Sequence, residues 1–124
     1  MDRKLIEIMD TTLRDGEQTS GVSYTPNEKL TIAKFLIDKL NIDRIEVASA
    51  KVSDGELESV KKITNWAKKN KKINCIEVLT FVDNGLSIDW ISRANCKVQN
   101  LLTKGSLNHL KYQLKKTPKD HFND

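Results

Sequence analysis

"RIEVASAKVSDGELESVKKI", residues 44–63, contains one complete repeat of the fold. Its β-branched start, 44–48, reads as a buried strand. Ser53-Asp54-Gly55-Glu56 is a capping box, and the helix it opens places Leu57, Val60, Ile63 and Ala67 on one face. A strand followed at once by an amphipathic helix predicts a crossover back to a parallel neighbour.

The same alternation extends in both directions. "LIEIM" at 5–9, "NCIEVLT" at 74–80 and "KVQNLL" at 97–102 read as further strands. Thr25-Pro26-Asn27-Glu28 predicts a helix to about Leu40 with a stripe of Leu30, Ala33, Ile37 and Leu40, and Ser87 before "IDWISRA" predicts a shorter one. At the end, "KKTPKDHFND" (115–124) repeats the start signal, with Thr117 as N-cap, Pro118 first and Asp120 in the first turn. The order β-α-β-α-β-α-β with right-handed crossovers fits a flavodoxin-like open sheet or part of a (β/α)8 barrel. A closed barrel needs roughly 250 residues. A newly capped helix at the end of the chain favours the barrel. The expectation is therefore an α/β fold of parallel (β/α) units, with residues 1–124 forming the N-terminal half of a (β/α)8 TIM barrel and the fourth helix incomplete.

Three strands share a motif: Ile6-Glu7-Ile8, Ile45-Glu46-Val47 and Ile76-Glu77-Val78. Alternation turns each Glu away from its aliphatic neighbours. If the aliphatics face the helices, the carboxylates face the inside of the curved sheet and need partners there. Glu7 and Glu77 read as interior ion pairs. Glu46 lies nearest a strand exit, where barrel active sites are built.

Composition narrows the classes. A hydrophobic fraction of 38% with 31% charged residues fits a globular protein. No run approaches 18 apolar residues, so no membrane partner is expected. "MDRKLIEIMD" lacks an apolar signal region, which predicts a cytoplasmic protein. Cys75 and Cys96 form no CxxC pair and read as reduced thiols. The net charge of +4 comes largely from "KKITNWAKKNKK" (61–72), read as a solvated helix face and its exit, with no nucleic-acid partner.

"MDTTLRDGEQTSG", residues 9–21, gathers Asp10, Arg14, Asp15, Glu17 and Gln18 just after the first strand. Asp15 is a hard oxygen donor suited to Mg²⁺ or Mn²⁺. Arg14 is a fixed cation for a developing oxyanion, and Gly16 lets the backbone turn. Taken alone, an Arg-Asp pair is also what an ordinary surface ion pair looks like.

"DTTLRDGEQTSGVSYTPNEKL" (10–30) resembles the first signature of the 2-isopropylmalate, homocitrate and citramalate synthase family, related to hydroxymethylglutaryl-CoA lyase. The resemblance continues through "DRIEVASAKVSDGELESVKKI", "IEVLTFVDNGLSIDWI" and "KVQNLLTKGSLNHLKYQLKKTP", nearly the whole chain, and looks nearest the citramalate and 2-isopropylmalate branch. It implies a (β/α)8 enzyme that joins the methyl of acetyl-CoA to the carbonyl of an α-keto acid and then hydrolyses the thioester. It also implies a divalent metal, Mg²⁺ or Mn²⁺ ahead of Zn²⁺, and a homodimer at full length.

Carried over by position, the resemblance makes Asp15 the metal ligand and Arg14 the oxyanion stabiliser. Glu46 would brace that arginine, Gln18 would lie near the substrate carboxylate, and Leu79 and Leu102 would line the keto-acid pocket. Ordinary barrel core is the other reading of both leucines. The family's His-x-His ligand pair, a further Asn ligand and the fifth-strand tyrosine and glutamate have no counterpart in these residues. His109 and His121 read as surface histidines. The 124 residues alone are therefore expected to be inactive. A half-barrel without catalysis, assembling or binding through its sheet edges, is the alternative.

Overall fold

In the computed structural model, which describes residues 6–124, four strands form one all-parallel sheet in the order β1-β2-β3-β4. The strands are β1 (Met9–Asp10), β2 (Arg44–Ser49), β3 (Ile76–Phe81) and β4 (Val98–Leu102). Between them run α1 (Pro26–Asp38), α2 (Asp54–Lys69) and α3 (Leu86–Arg93), and α4 (Pro118–Asn123) follows β4. This is the (β/α) half-barrel expected from the sequence.

One face of the sheet carries the core. Ile45 and Val47 of β2 and Ile76 and Val78 of β3 are fully buried against Ala33 and Ile37 of α1 and Val60, Ile63 and Ala67 of α2. Of the helix starts the sequence indicates, those at Thr25 and Thr117 form reciprocal boxes, while the box expected at Ser53 is only half made because the Glu56 carboxylate pairs with Lys29 at 2.6 Å. Thr25 Oγ1 accepts from the Glu28 amide while Glu28 reaches back to the Thr25 amide, and Thr117 and Asp120 repeat the arrangement. Ser53 Oγ accepts from the Glu56 amide. Each cap satisfies amides that the first helical turn leaves unpaired.

Five details differ from the sequence reading. The first strand is confined to Met9 and Asp10 and does not extend over the described part of 5–9; Leu5 lies outside the described residues. Ile6 is 82% exposed, and the Ile8 amide is taken by the Asp43 carboxylate at 2.8 Å. The Ile8 carbonyl still accepts from the Arg44 amide at 3.2 Å, but the exposed side chains of Ile6 and Ile8 add no apolar burial to extend the strand. In α1 the buried stripe uses Leu36, whereas Leu40 lies past the helix and is exposed. Residues 73–75 form a 3₁₀ turn ahead of β3. Ser87 is inside α3 and does not cap it: Gly85, at φ +85°, is the N-cap residue, and Asp83 supplies the side chain that accepts from the Ser87 amide and hydroxyl. His121 is buried, its Nε2 2.8 Å from Thr103 Oγ1, while His109 is exposed on a π-helical turn, His109–Leu114.

Cys75 and Cys96 are free thiols. Among the described residues no helix is long and apolar enough to cross a membrane.

Candidate functional site

The loop after β1 winds tightly because the amides of Arg14, Asp15 and Gly16 all donate to the Thr11 carbonyl, at 3.1, 2.8 and 3.2 Å. Asp10 fixes the entry by accepting from the amide and hydroxyl of Thr12, at 2.9 and 3.0 Å. Leu13, fully buried, pins the loop into the core. One turn of 3₁₀ helix, Gly16–Gln18, then carries the chain over the rim at the carboxyl end of the sheet.

This winding aims Arg14 back at the sheet. Its Nε donates to Glu46 Oε2 at 2.5 Å and its Nη1 to Asp15 Oδ1 at 2.7 Å. Glu46 is 2% exposed and its other oxygen accepts from Asn100 Nδ2 of β4 at 2.9 Å. A buried carboxylate is stable only when its lone pairs are engaged, and both Glu46 oxygens are. The pairing register shifts immediately after Glu46, between Glu46 and Ala48, as irregularities near functional rims commonly do. The result is a guanidinium fixed on two sides by carboxylates.

Glu46 thus faces away from Ile45 and Val47 and towards β4, as the alternation predicts. Glu77 shares this inner face, with Arg44 Nε 3.4 Å away; Glu7 reaches the same arginine at 3.8 Å but is exposed and outside any strand.

Gln18 and Arg14 line a cleft of about 280 Å³ together with Glu17, Ser49 and Ser53. Leu79 and Leu102 are on the Glu46 face, since Leu79 pairs with Asn100 and Phe81 with Leu102. They do not line that cleft; Leu102 borders a separate one of about 250 Å³ with Phe81 and His121. Arg14, Asp15 and Glu46 therefore come together, Gln18 lies beside them, and the leucines stand apart along the strands.

Asn100 escaped the sequence reading. The available signal was its place two residues before Leu102 in a strand, which puts it on the same face.

Asp15 is 61% exposed and one carboxylate oxygen is committed to Arg14, so it presents a hard oxygen donor to solvent. Both Glu46 oxygens are engaged and unavailable as ligands. Among the described residues no three His, Cys, Asp or Glu side chains gather into a metal-holding group. Of Arg14, Asp15 and Glu46 only Asp15 keeps a carboxylate oxygen open to solvent, one donor of the several that a divalent ion needs.

Known proteins show related sequences. The (R)-citramalate synthase of Methanocaldococcus jannaschii is 46% identical over 115 residues, covering 91% of this chain and 22% of the relative. The 2-isopropylmalate synthase of Pyrococcus furiosus is 42% identical over 120 residues, 97% of this chain and 23% of the relative. The homocitrate synthase of Methanopyrus kandleri is 39% identical over 110 residues, 87% of this chain and 26% of the relative. The chain spans about a quarter of the length of these relatives. Residues 5–124, with the wound loop, Glu46 and Asn100 all inside the match, fit the HMGL-like family, and the chain belongs to it.

Proposed function

We propose that residues 1–124 are the N-terminal half of the catalytic barrel of an acyltransferase that condenses acetyl-CoA with an α-keto acid, pyruvate to citramalate or 2-ketoisovalerate to 2-isopropylmalate. The relatives' names support the reaction class, and the Glu46–Arg14–Asp15 arrangement at the carboxyl end of the sheet carries the reading.

A general base elsewhere in the full-length protein takes a proton from the acetyl methyl, and the carbon so freed bonds to the keto carbon as the C=O π pair moves onto the keto oxygen. Water then hydrolyses the thioester to release CoA. Arg14 meets the negative charge that grows on the keto oxygen. Held at Nε and Nη1, its guanidinium needs no reorganisation as the charge appears, which is where preorganised donors contribute most. Glu46 and Asn100 keep it aimed. Asp15 supplies one oxygen to a divalent ion, which when bound polarises the keto carbonyl. Gln18, on the adjoining cleft, donates to the substrate carboxylate. Leu79 and Leu102 lie outside that cleft but on the Glu46 face, where they bound the side-chain end of the keto acid, and two bulky side chains favour pyruvate over the larger 2-ketoisovalerate. A methyl-sized difference is worth only about 1 to 3 kcal/mol.

Thiol release from acetyl-CoA by the full-length protein, with each keto acid in turn, tests the proposal. Release should require a keto acid and be fastest with pyruvate. A preference for 2-ketoisovalerate would overturn the pocket assignment, and release independent of any keto acid would overturn the reaction.

A further inference from the structure

Lys29 is fully buried in α1, and a lysine in that position is costly unless its charge is met. Two carboxylates meet it. Its Nζ lies 2.5 Å from Glu17 Oε2 and 2.6 Å from Glu56 Oε1, and 3.4 Å from the Leu13 carbonyl. The three partners come from two places: Leu13 and Glu17 from the loop that carries Arg14 and Asp15, and Glu56 from the first turn of α2. Glu17 is held a second time, its Oε1 accepting from the Tyr24 amide at 2.9 Å. The ammonium is thus a buried knot tying the loop to both helices behind it, just below the cleft that Arg14 and Gln18 line.

We infer that Lys29 is a positioning residue of the reaction centre, holding the loop through Glu17 and the Leu13 carbonyl so that Arg14 keeps its aim. The Asp15–Arg14–Glu46 contacts fix the arginine's far end, but they cannot fix the backbone from which it springs. Leu13 and Glu17 bracket Arg14 and Asp15 in sequence, so an anchor on both sides fixes the segment between. A misplacement on the order of an ångström in such a group costs roughly 100-fold in rate. This role rests on the reading of the loop as the reaction centre.

The test uses the full-length protein with Lys29→Met, which removes the ammonium, and Glu17→Gln, which weakens only the loop's tie and keeps the Lys29–Glu56 pair. Amide hydrogen exchange is followed over 11–18 and, as reference, over β2 and β3. Exchange in the loop should rise at least about 10-fold in both variants, or in Glu17→Gln alone should Lys29→Met fail to fold, with the strands unchanged. In keto-acid-dependent CoA release, kcat of every folded variant should fall about 10- to 100-fold while the keto-acid KM moves less than about threefold. Equal acceleration of exchange in loop and strands, or unchanged loop exchange, would overturn the inference. Wild-type kcat in the folded variants while Arg14→Ala is inactive would also overturn it. If Arg14→Ala itself keeps full activity, the loop is not the reaction centre and the underlying reading fails, whereas the exchange result stands or falls independently.

Discussion

Replacing Glu46 by Gln keeps the shape of the brace and removes its charge. In the native arrangement Oε2 accepts from Arg14 Nε at 2.5 Å and Oε1 from Asn100 Nδ2 at 2.9 Å. A glutamine can offer its carbonyl oxygen to Arg14, but its amino group then faces the Asn100 amino group. The Asn100 amide must turn over to present its oxygen. Both hydrogen bonds survive, but the Arg14 side loses its anionic partner and the Asn100 side becomes a bond between two neutral groups. Hydrogen bonds to charged groups contribute about 1.5 to 3 kcal/mol, and neutral ones about 0.5 to 1.5. The difference, about 1 to 1.5 kcal/mol, corresponds to roughly a tenfold fall in kcat if it appears wholly at the transition state. Alanine instead removes both acceptors and leaves a partly buried guanidinium unpaired on that side. Breaking such a pair costs about 3 to 5 kcal/mol, and the remaining solvent access of Arg14 puts the expected value near the lower end. The Ala variant of the full-length protein should therefore lose at least about 100-fold in kcat. Steady-state CoA release at saturating keto acid measures both. A Gln variant within twofold of wild type, or an Ala variant no worse than the Gln variant, would refute the bracing role.

The remaining predictions concern other parts of the molecule. Burial pushes the Asp83 carboxyl up, but the hydrogen bonds from Lys51 and from the Ser87 amide and hydroxyl outweigh it and bring its pKa to about 2. Its contribution to stability is full above about pH 4 and is lost as pH falls towards 2, so Asp83→Asn should flatten that stretch of a pH–stability curve and cost about 1 kcal/mol at neutral pH through the weakened cap. Burial raises the Cys96 thiol, which also lies 3.3 Å from the Val98 carbonyl, so at neutral pH its alkylation should be slow and should speed up on unfolding, as mass spectrometry of iodoacetamide-treated protein would show. The 124 residues expressed alone should show no keto-acid-dependent CoA release, because Asp15 alone holds a divalent ion weakly; measurable turnover would refute the ligand count.

Local rules carried most of the fold. Thr25, Ser53 and Thr117 announce their helices because an N-cap is built from residues within one turn, and the Ile-Glu-Val motifs fix which side of β2 and β3 meets the helices. Ser87 misled because the acceptor that caps α3 sits four residues earlier, at Asp83, across a left-handed Gly85 that only the folded backbone displays. The first strand was overextended because Ile6 and Ile8 carry strand propensity without anything to pack on. At the site, loop chemistry and strand alternation singled out Arg14, Asp15 and Glu46 but left an ordinary ion pair open, and the pairing of Glu46 with Arg14 was implied by the family resemblance alone. Asn100 was not legible, since its contact with Glu46 spans two strand pairings and depends on register. Lys29 was least legible of all: a lysine on a helix reads as solvent-facing, and only tertiary structure brings Glu17 and Glu56 to it.

The most direct measurement is the rate of keto-acid-dependent CoA release by the full-length protein carrying Arg14→Ala, beside the unaltered protein under the same divalent metal and substrate concentrations. Removing one preorganised donor to a developing oxyanion costs roughly 100- to 1,000-fold in kcat. The loss should be at least that size, with the fold and acetyl-CoA binding retained. An Arg14→Ala protein that releases CoA at the unaltered rate would contradict the role proposed for Arg14.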